Sequence, residues 1–295
     1  MKVAWFDAED WHEDYIDSDH EIHFFSNSLY PEDLDDSFDA ISVFVDSEVS
    51  REIIEEVRPE KILCRSSGFD NVDLDAAEEF GATVYNVPDY GSETVAEYAF
   101  ALLLHIAKRL DEDLGKNPNE QDGVQGFELK EKVLGVVGAG KIGREVIRRA
   151  KTFEMEVVAY DPFHDEKAAE KLGYTYRDLE EVLSESDFVS IHCPLNESTK
   201  HLLSGEELNH MNGSLLVNTA RGAVIDSEAL LNALQDERVS YAALDVVEDG
   251  WYDQLSQMDN VYFTPHNAYN TREAEERIVD RTIQNLNGQK ESIDS

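Results

Sequence analysis

Three glycines and one aspartate in the middle of the chain have the spacing that dinucleotide binding needs. In Val133-Leu-Gly-Val-Val-Gly-Ala-Gly-Lys-Ile-Gly-Arg144, a hydrophobic strand (133–137) runs into a turn built on Gly138, Gly140 and Gly143. A helical stretch (144–151) leaves the turn, and a second strand, Val157-Val-Ala-Tyr160, ends on Asp161, 18 residues past Gly143. The first glycine permits the tight turn, the second lets backbone approach a pyrophosphate, and the third lets helix pack on strand. The helix N-terminus offers N–H groups and a positive dipole end to phosphates. A carboxylate at Asp161 is placed to hold a ribose 2′-hydroxyl, which favours NAD over NADP. Lys167 and Arg177 are cations that could swing in and oppose this.

A second set of residues follows the later strands. After 188–191 come His192-Cys-Pro-Leu195, and after 214–217 come Asn218-Thr-Ala-Arg-Gly222. After 241–244 come Asp245-Val-Val-Glu248, and after 261–263 come Thr264-Pro-His266. Ligands of open α/β sheets bind beyond the carboxyl ends of strands, so these residues share a rim with the glycine turn. Any one of them read alone is equally well a loop former. Together they meet the needs of hydride transfer to a 2-keto acid. Arg221 can grip a carboxylate with its bidentate fork. His266 can give a proton to a carbonyl oxygen. Glu248 or Asp245 can keep that imidazole protonated and oriented.

The elements that position these residues alternate strand with helix. In the first hundred residues, 2–6, 40–45, 61–64 and 83–86 read as strands, and 46–57 and 73–80 as helices, the second stopped by Gly81. A long helix carries apolar residues from Val95 to Leu110, with Ser92 as a candidate cap. Residues 111–126 read as a polar connection. From Val133, six strands are expected, at 133–137, 156–160, 188–191, 214–217, 241–244 and 261–263, then a last amphipathic helix at 271–286. Strands alternating with helices imply parallel sheet.

These motifs resemble the D-isomer-specific 2-hydroxyacid dehydrogenase family over essentially the whole chain. The likeness rests on Arg65-Ser-Ser-Gly-Phe-Asp-Asn-Val-Asp73, Asn86-Val-Pro-Asp-Tyr-Gly-Ser-Glu-Thr-Val-Ala-Glu97 and the glycine turn. It continues through Tyr160-Asp-Pro162, His192-Cys-Pro-Leu195, Val217-Asn-Thr-Ala-Arg-Gly222, Ala243-Leu-Asp-Val246 and Thr264-Pro-His266. The resemblance implies an α/β fold of two domains. A Rossmann-type NAD-binding domain (97–267) would be inserted in a flavodoxin-like parallel α/β substrate domain (1–96, completed by 268–295). It implies an NAD(H)-dependent oxidoreductase interconverting small 2-keto acids and D-2-hydroxy acids, acting as a homodimer. Arg221 would bind substrate, His266 would be the acid/base, and a glutamate would partner it. The amides of Ser67 and Gly68 would hold the substrate carboxylate. Lys141, Ile142, Asp161, His192, Cys193, Thr199, Thr219, Ala220 and Asp245 fall where the family contacts cofactor.

The chain departs from the family at the glutamate, which usually stands before a proline in a D-V-x-x-E-P-like segment. Counting forward from Arg221 brings that slot to Gly250; counting back from His266 brings it to Glu248. Glu248 is the expected residue, with Asp249 or no partner as the alternatives. Arg65-Ser-Ser-Gly-Phe-Asp-Asn and Pro265-His-Asn-Ala-Tyr269 resemble the D-lactate and D-2-hydroxyisocaproate branch more than the phosphoglycerate branch. Tyr90 sits where that branch has a substrate-side tyrosine, although packing alone would also explain it and Tyr269. A glyoxylate/hydroxypyruvate reductase is the neighbouring reading. An NAD-sensing protein resembling the corepressors of this family is the reading from another class.

Composition sets the remaining bounds. At 295 residues the chain is long enough for two domains, and no 18-residue apolar run suggests a membrane span or leader. Cys64 and Cys193 lack disulfide-framework or metal-type spacing and read as small buried hydrophobes. A cytoplasmic protein with no metal is expected. Sixty-four acids against 25 bases give a net charge of −39, spread along the chain. Nucleic acid is an unsuitable partner for such a surface. With 41% hydrophobic residues the chain is expected to fold, wearing the acidic coat associated with halophiles.

Overall fold

The computed structural model describes the chain except residues 31–33, 35–37, 46, 118, 120–122 and 290–295. It divides into two compact units, Met1–Tyr90 with Thr271–Ser295, and Gly91–Asn270. The helix beginning at Ser92 belongs whole to the second unit, so the division falls before it rather than at 96/97.

The smaller unit begins with β1 (Lys2–Trp5), α1 (Asp10–Tyr15), β2 (Glu21–Phe24) and β3 (Ala40–Val43). It continues with α2 (Arg51–Val57), β4 (Lys61–Cys64), α3 (Leu74–Phe80) and β5 (Thr83–Tyr85). The strands form one parallel sheet in the order β2-β1-β3-β4-β5, the flavodoxin-like winding. All four residues of β3 are buried, as expected where helices cover both faces of a parallel sheet. Asp73 caps α3 by accepting from the Ala76 N–H at 2.8 Å, and Gly81 ends it at φ +79°.

Helix α2 is shorter than its pattern suggests. Asp46, the expected start, lies outside the described residues. Residues 47–49 are held out of the helix by tertiary bonds. Ser47 Oγ donates to Asp7 at 2.7 Å, Asn71 Nδ2 donates to the Ser47 carbonyl at 2.6 Å, and Val49 bridges Val72. Strand β2 was not foreseen, because Glu-Ile-His-Phe at a sheet edge lacks a continuous apolar run.

The larger unit opens with α4 (Ser92–Lys108) and a short α5 (Leu110–Asp113). Then follow β6 (Val133–Val137), α6 (Lys141–Thr152), β7 (Glu156–Tyr160), α7 (Glu166–Leu172), β8 (Thr175–Tyr176) and α8 (Leu179–Glu185). The second half contains β9 (Phe188–Ile191), α9 (Gly205–Leu208), β10 (Ser214–Asn218), α10 (Ser227–Gln235), β11 (Val239–Leu244), α11 (Tyr252–Leu255) and β12 (Val261–Phe263). Helix α12 (Arg272–Leu286) returns to the smaller unit and buries Leu286 against Val3, Ala40 and Leu63.

The larger sheet is parallel, in the order β12-β11-β10-β9-β6-β7-β8, seven strands where six were expected. The addition is the two-residue β8. From β6 the chain winds out to β8, then returns to place β9 on the other side of β6, which makes β6/β9 the topological switch point. Leu134, Val136, Phe188, Leu215 and Val217 face one buried cluster with α4 and α6; Val137, Val189, Ile191 and Leu216 face the opposite one with α10. Each such side chain contributes about 2 kcal/mol by leaving water. The sheet is thereby a rigid plate for the residues at its end.

Candidate active site

Strand register aligns those residues. Tyr160 pairs with Val137, Val137 with Ile191, Ile191 with Asn218, Asn218 with Leu244, and Leu244 with Phe263. One step beyond each strand therefore stand Asp161, Gly138, His192, Thr219, Asp245 and Thr264, in a row along a single rim.

At the switch point the three glycines have separate jobs. Gly138 adopts φ +98°, and a Cβ there would lie 2.7 Å from the Cys193 nitrogen. A Cβ at Gly143 would run into the Gly138 carbonyl oxygen, so α6 closes on the turn only with glycine inside it. That packing starts α6 at Lys141, three residues earlier than expected, and puts Lys141 and Ile142 in its first turn. A Cβ at Gly140 would meet nothing within 4 Å, so the helix end faces open space. Asp161 accepts from the Ala139 N–H at 2.9 Å and the Phe163 N–H at 2.8 Å, which locks its carboxylate beside the turn.

Across the switch point, His192 Nε2 lies 2.8 Å from Ser190 Oγ. Protein encloses the His192 ring, although part of the residue reaches the surface, and this pushes its pKa down to about 3. Burial raises the Cys193 thiol to about 11 and the Cys64 thiol to about 12, so neither is a thiolate nucleophile. Thr199 Oγ1 donates to the Pro194 carbonyl at 2.6 Å and accepts from the Asn196 N–H at 2.8 Å, closing the loop after β9. Thr219 Oγ1 is buried without a hydrogen-bond partner. A buried orphan hydroxyl is costly and calls for a ligand group. An open glycine-walled helix end, a fixed carboxylate and this orphan fit a dinucleotide.

The turn carrying Arg221 is clamped by a residue that sequence reasoning passed over. Asn218 is fully buried; its Oδ1 accepts from the Ala220 N–H at 2.9 Å and its Nδ2 donates to the Arg221 carbonyl at 3.0 Å. The signal was an asparagine at the end of an apolar strand, where loop formation seemed reason enough. Arg221 Nη1 donates to the Ala220 carbonyl at 2.9 Å.

Asp245 is 2% exposed and organises the turn carrying His266. Its Oδ1 accepts from Thr264 Oγ1 at 2.6 Å and the Asn267 N–H at 2.8 Å; its Oδ2 accepts from the Ala268 N–H at 3.0 Å. His266 itself stands at φ +51°, a left-handed conformation that a non-glycine residue holds only when its surroundings impose it. Its ring is exposed and lies edge-on to Tyr269 at 6.1 Å.

Glu248 has a neighbour that was not foreseen. Its Oε1 is 2.8 Å from His201 Nε2, a residue 47 positions earlier. Asp249 is exposed, and Gly250 stands at φ +82°.

In the smaller unit, the Val87 N–H donates to the Ser66 carbonyl at 2.9 Å and Asn86 Nδ2 donates to the Ser67 carbonyl at 2.7 Å. In a trans peptide the next N–H points opposite its carbonyl, so those of Ser67 and Gly68 point away from these donors. Beneath the loop lies Arg65, fully buried, donating to Ser42 Oγ at 3.0 Å and to the Phe6 carbonyl. Tyr90 is buried, with its carbonyl accepting from Arg277 Nε at 2.7 Å.

Such a rim, on a doubly wound sheet, is built for dinucleotide-dependent oxidation and reduction. The family model for the D-isomer specific 2-hydroxyacid dehydrogenase NAD binding domain matches residues 98–268. D-lactate dehydrogenase of Escherichia coli (strain K12) is 37% identical over 271 residues, covering 84% of this chain and 82% of that protein. Hydroxypyruvate reductase of Thermotoga maritima is 40% identical over 251 residues, covering 81% of each. The apo-structure of D-lactate dehydrogenase from Escherichia coli superposes with a TM-score of 0.88 at 35% identity, covering 98% of this chain and 96% of that one. The chain belongs to the D-isomer specific 2-hydroxyacid dehydrogenase family, as an NAD-dependent oxidoreductase of 2-keto and 2-hydroxy acids.

Proposed function

We propose that this enzyme reduces small, unphosphorylated 2-keto acids to D-2-hydroxy acids. The observation that carries the residue assignment is the Asp245 scaffold, which holds His266 in a strained left-handed turn on the same rim as Arg221 and the glycine turn. When bound, the reduced nicotinamide supplies the hydride. The chain supplies the rest. Arg221, on a turn fixed by Asn218, grips the substrate carboxylate through its two-pronged guanidinium. His266 gives a proton from its imidazolium to the carbonyl oxygen as the alcohol forms. Glu248 favours the protonated imidazole, using the carboxylate oxygen not committed to His201. In the smaller unit, the N–H groups of Ser67 and Gly68 are assigned to the substrate carboxylate and Tyr90 to the substrate side chain.

On the cofactor side, the amides of Lys141 and Ile142 receive the pyrophosphate, Asp161 the ribose hydroxyls and Thr219 the nicotinamide half. His192, Cys193, Thr199 and Ala220 wall the remainder. A homodimer in the cytoplasm completes the proposal.

Steady-state NADH oxidation in molar KCl, with pyruvate, glyoxylate, hydroxypyruvate and branched keto acids, tests the substrate assignment. The expected result is the highest kcat/KM with pyruvate or a branched keto acid. A preference for glyoxylate or hydroxypyruvate would move the enzyme to the neighbouring reductase class. NADH binding without turnover of any of these would point to a cofactor sensor.

A further inference from the structure

The loops carrying Arg221 and Glu248 leave different strands, yet they are locked together. A Cβ at Gly222 would run into the Val247 carbonyl group and the Glu248 nitrogen, so the two backbones touch where glycine follows Arg221. Their common fastener is the segment 201–203. The His201 N–H donates to the Ala223 carbonyl at 2.8 Å, the Leu203 N–H to the Val224 carbonyl at 3.1 Å, and the Asp226 N–H to the Leu203 carbonyl at 3.0 Å. Leu203 is fully buried, which anchors the segment. His201 is then held at φ +52°, another left-handed non-glycine residue, and from there Nε2 reaches Glu248.

We propose that His201 is a positioning residue of the active site, fixing Glu248 through its ring and the Arg221 turn through its backbone. The proposal rests on the roles given above to Arg221, Glu248 and His266. A partly exposed ion pair adds little stability by itself, since water and salt compete for both partners. The side chains are 37% and 22% exposed, which puts this pair in that weak range. Its value is geometric. With Oε1 held by His201, the Glu248 carboxylate has one orientation to offer a second imidazole. Without the bond, the carboxylate rotates and the loop pressed on Gly222 loosens.

Substitutions at His201 and Glu248, singly and together, test this in steady-state reduction of pyruvate, with NADH binding followed by fluorescence titration. His201→Ala should raise KM for the keto acid and lower kcat/KM about tenfold, the worth of one charge-assisted hydrogen bond. NADH affinity should stay within about threefold, which also reports that the fold is intact. His201→Gln, which keeps a side-chain N–H in reach of the carboxylate, should recover most of the loss. Glu248→Gln and the double variant with His201→Ala should show non-additive losses, because the second change breaks a pair already broken. Multiplicative losses, or kcat/KM within twofold of the parent in His201→Ala, overturn the proposal. Arg221→Lys and His266→Gln separate the two levels. If they are impaired and His201→Ala is silent, this inference alone fails; if they are as active as the parent, the site reading fails and takes this inference with it.

Discussion

Asp245 holds the turn that carries His266. The His266 N–H donates to the Asp245 carbonyl at 3.1 Å, and the Asp245 carboxylate takes three more hydrogen bonds from Thr264, Asn267 and Ala268. The carboxylate expected beside the cofactor thus also scaffolds the turn on which His266 stands.

Asp245→Ala should therefore damage catalysis and stability together. It strands the Thr264 hydroxyl and the Asn267 and Ala268 N–H groups, and costs about 3 kcal/mol in the unfolding free energy. kcat should fall more steeply than NADH affinity, since His266 loses its turn. Denaturant unfolding and a pyruvate assay on the same preparation check both. Parent-like kcat in a variant of reduced stability would separate Asp245 from the chemistry.

The two histidines with depressed pKa give stability an acid limb. His192 is pushed down to about 3 by burial, and His12 to about 4 by burial and the nearby Arg65 guanidinium. In the unfolded chain both titrate near 6.5. Below that pH the unfolded state binds protons that the folded state refuses, so stability falls as pH drops from about 6.5 toward each folded value, by about 1.4 kcal/mol per pH unit and group. His192→Asn should make the decline between pH 6 and pH 5 shallower by about 1 kcal/mol, measured by urea unfolding at each pH. Equal slopes in parent and variant would mean that His192 titrates normally in the folded protein.

Salt should stabilise this protein strongly. The chain carries 39 more acids than bases, so at most 25 of its 64 carboxylates can pair one-to-one with a lysine or arginine. Folding concentrates that charge. Raising KCl from about 0.1 M to 1 M shortens the screening length from about 10 Å to about 3 Å. The melting temperature should climb by about 10 °C or more over this range, because each kcal/mol of relief is worth about 2–4 °C in a chain of this size. A melting curve flat from 0.1 M to 2 M KCl would show that the acidic coat is neutral to stability.

The rim was legible in the sequence because a parallel sheet writes it there. A buried strand is a short apolar run, and the polar residue that ends it is the residue on the rim. Asp161, His192 and Asp245 were found that way, Gly138 by the glycine spacing and Thr219 by the family resemblance, and strand register aligns them. Elements without that signature were missed. Edge strand β2 has one neighbour and no apolar run, β8 is two residues long, and the start of α2 is decided by bonds from Asp7 and Asn71. His201 was invisible for a different reason. Nothing local marks a histidine after Thr199-Lys200 as the partner of a glutamate 47 residues on; only the packing of the 201–203 segment on the Arg221 turn brings them together.

In the proposed reaction His266 delivers the proton as a 2-keto acid is reduced to its D-alcohol. The most direct measurement compares the parent with His266→Ala in NADH-dependent pyruvate reduction, in molar KCl, with the enantiomer of the product determined. The parent should form D-lactate, and the variant should lose about 10²–10⁴ in kcat, the usual contribution of general acid catalysis, at nearly unchanged NADH affinity. A variant within a few-fold of the parent, or an L-product from the parent, would contradict the account.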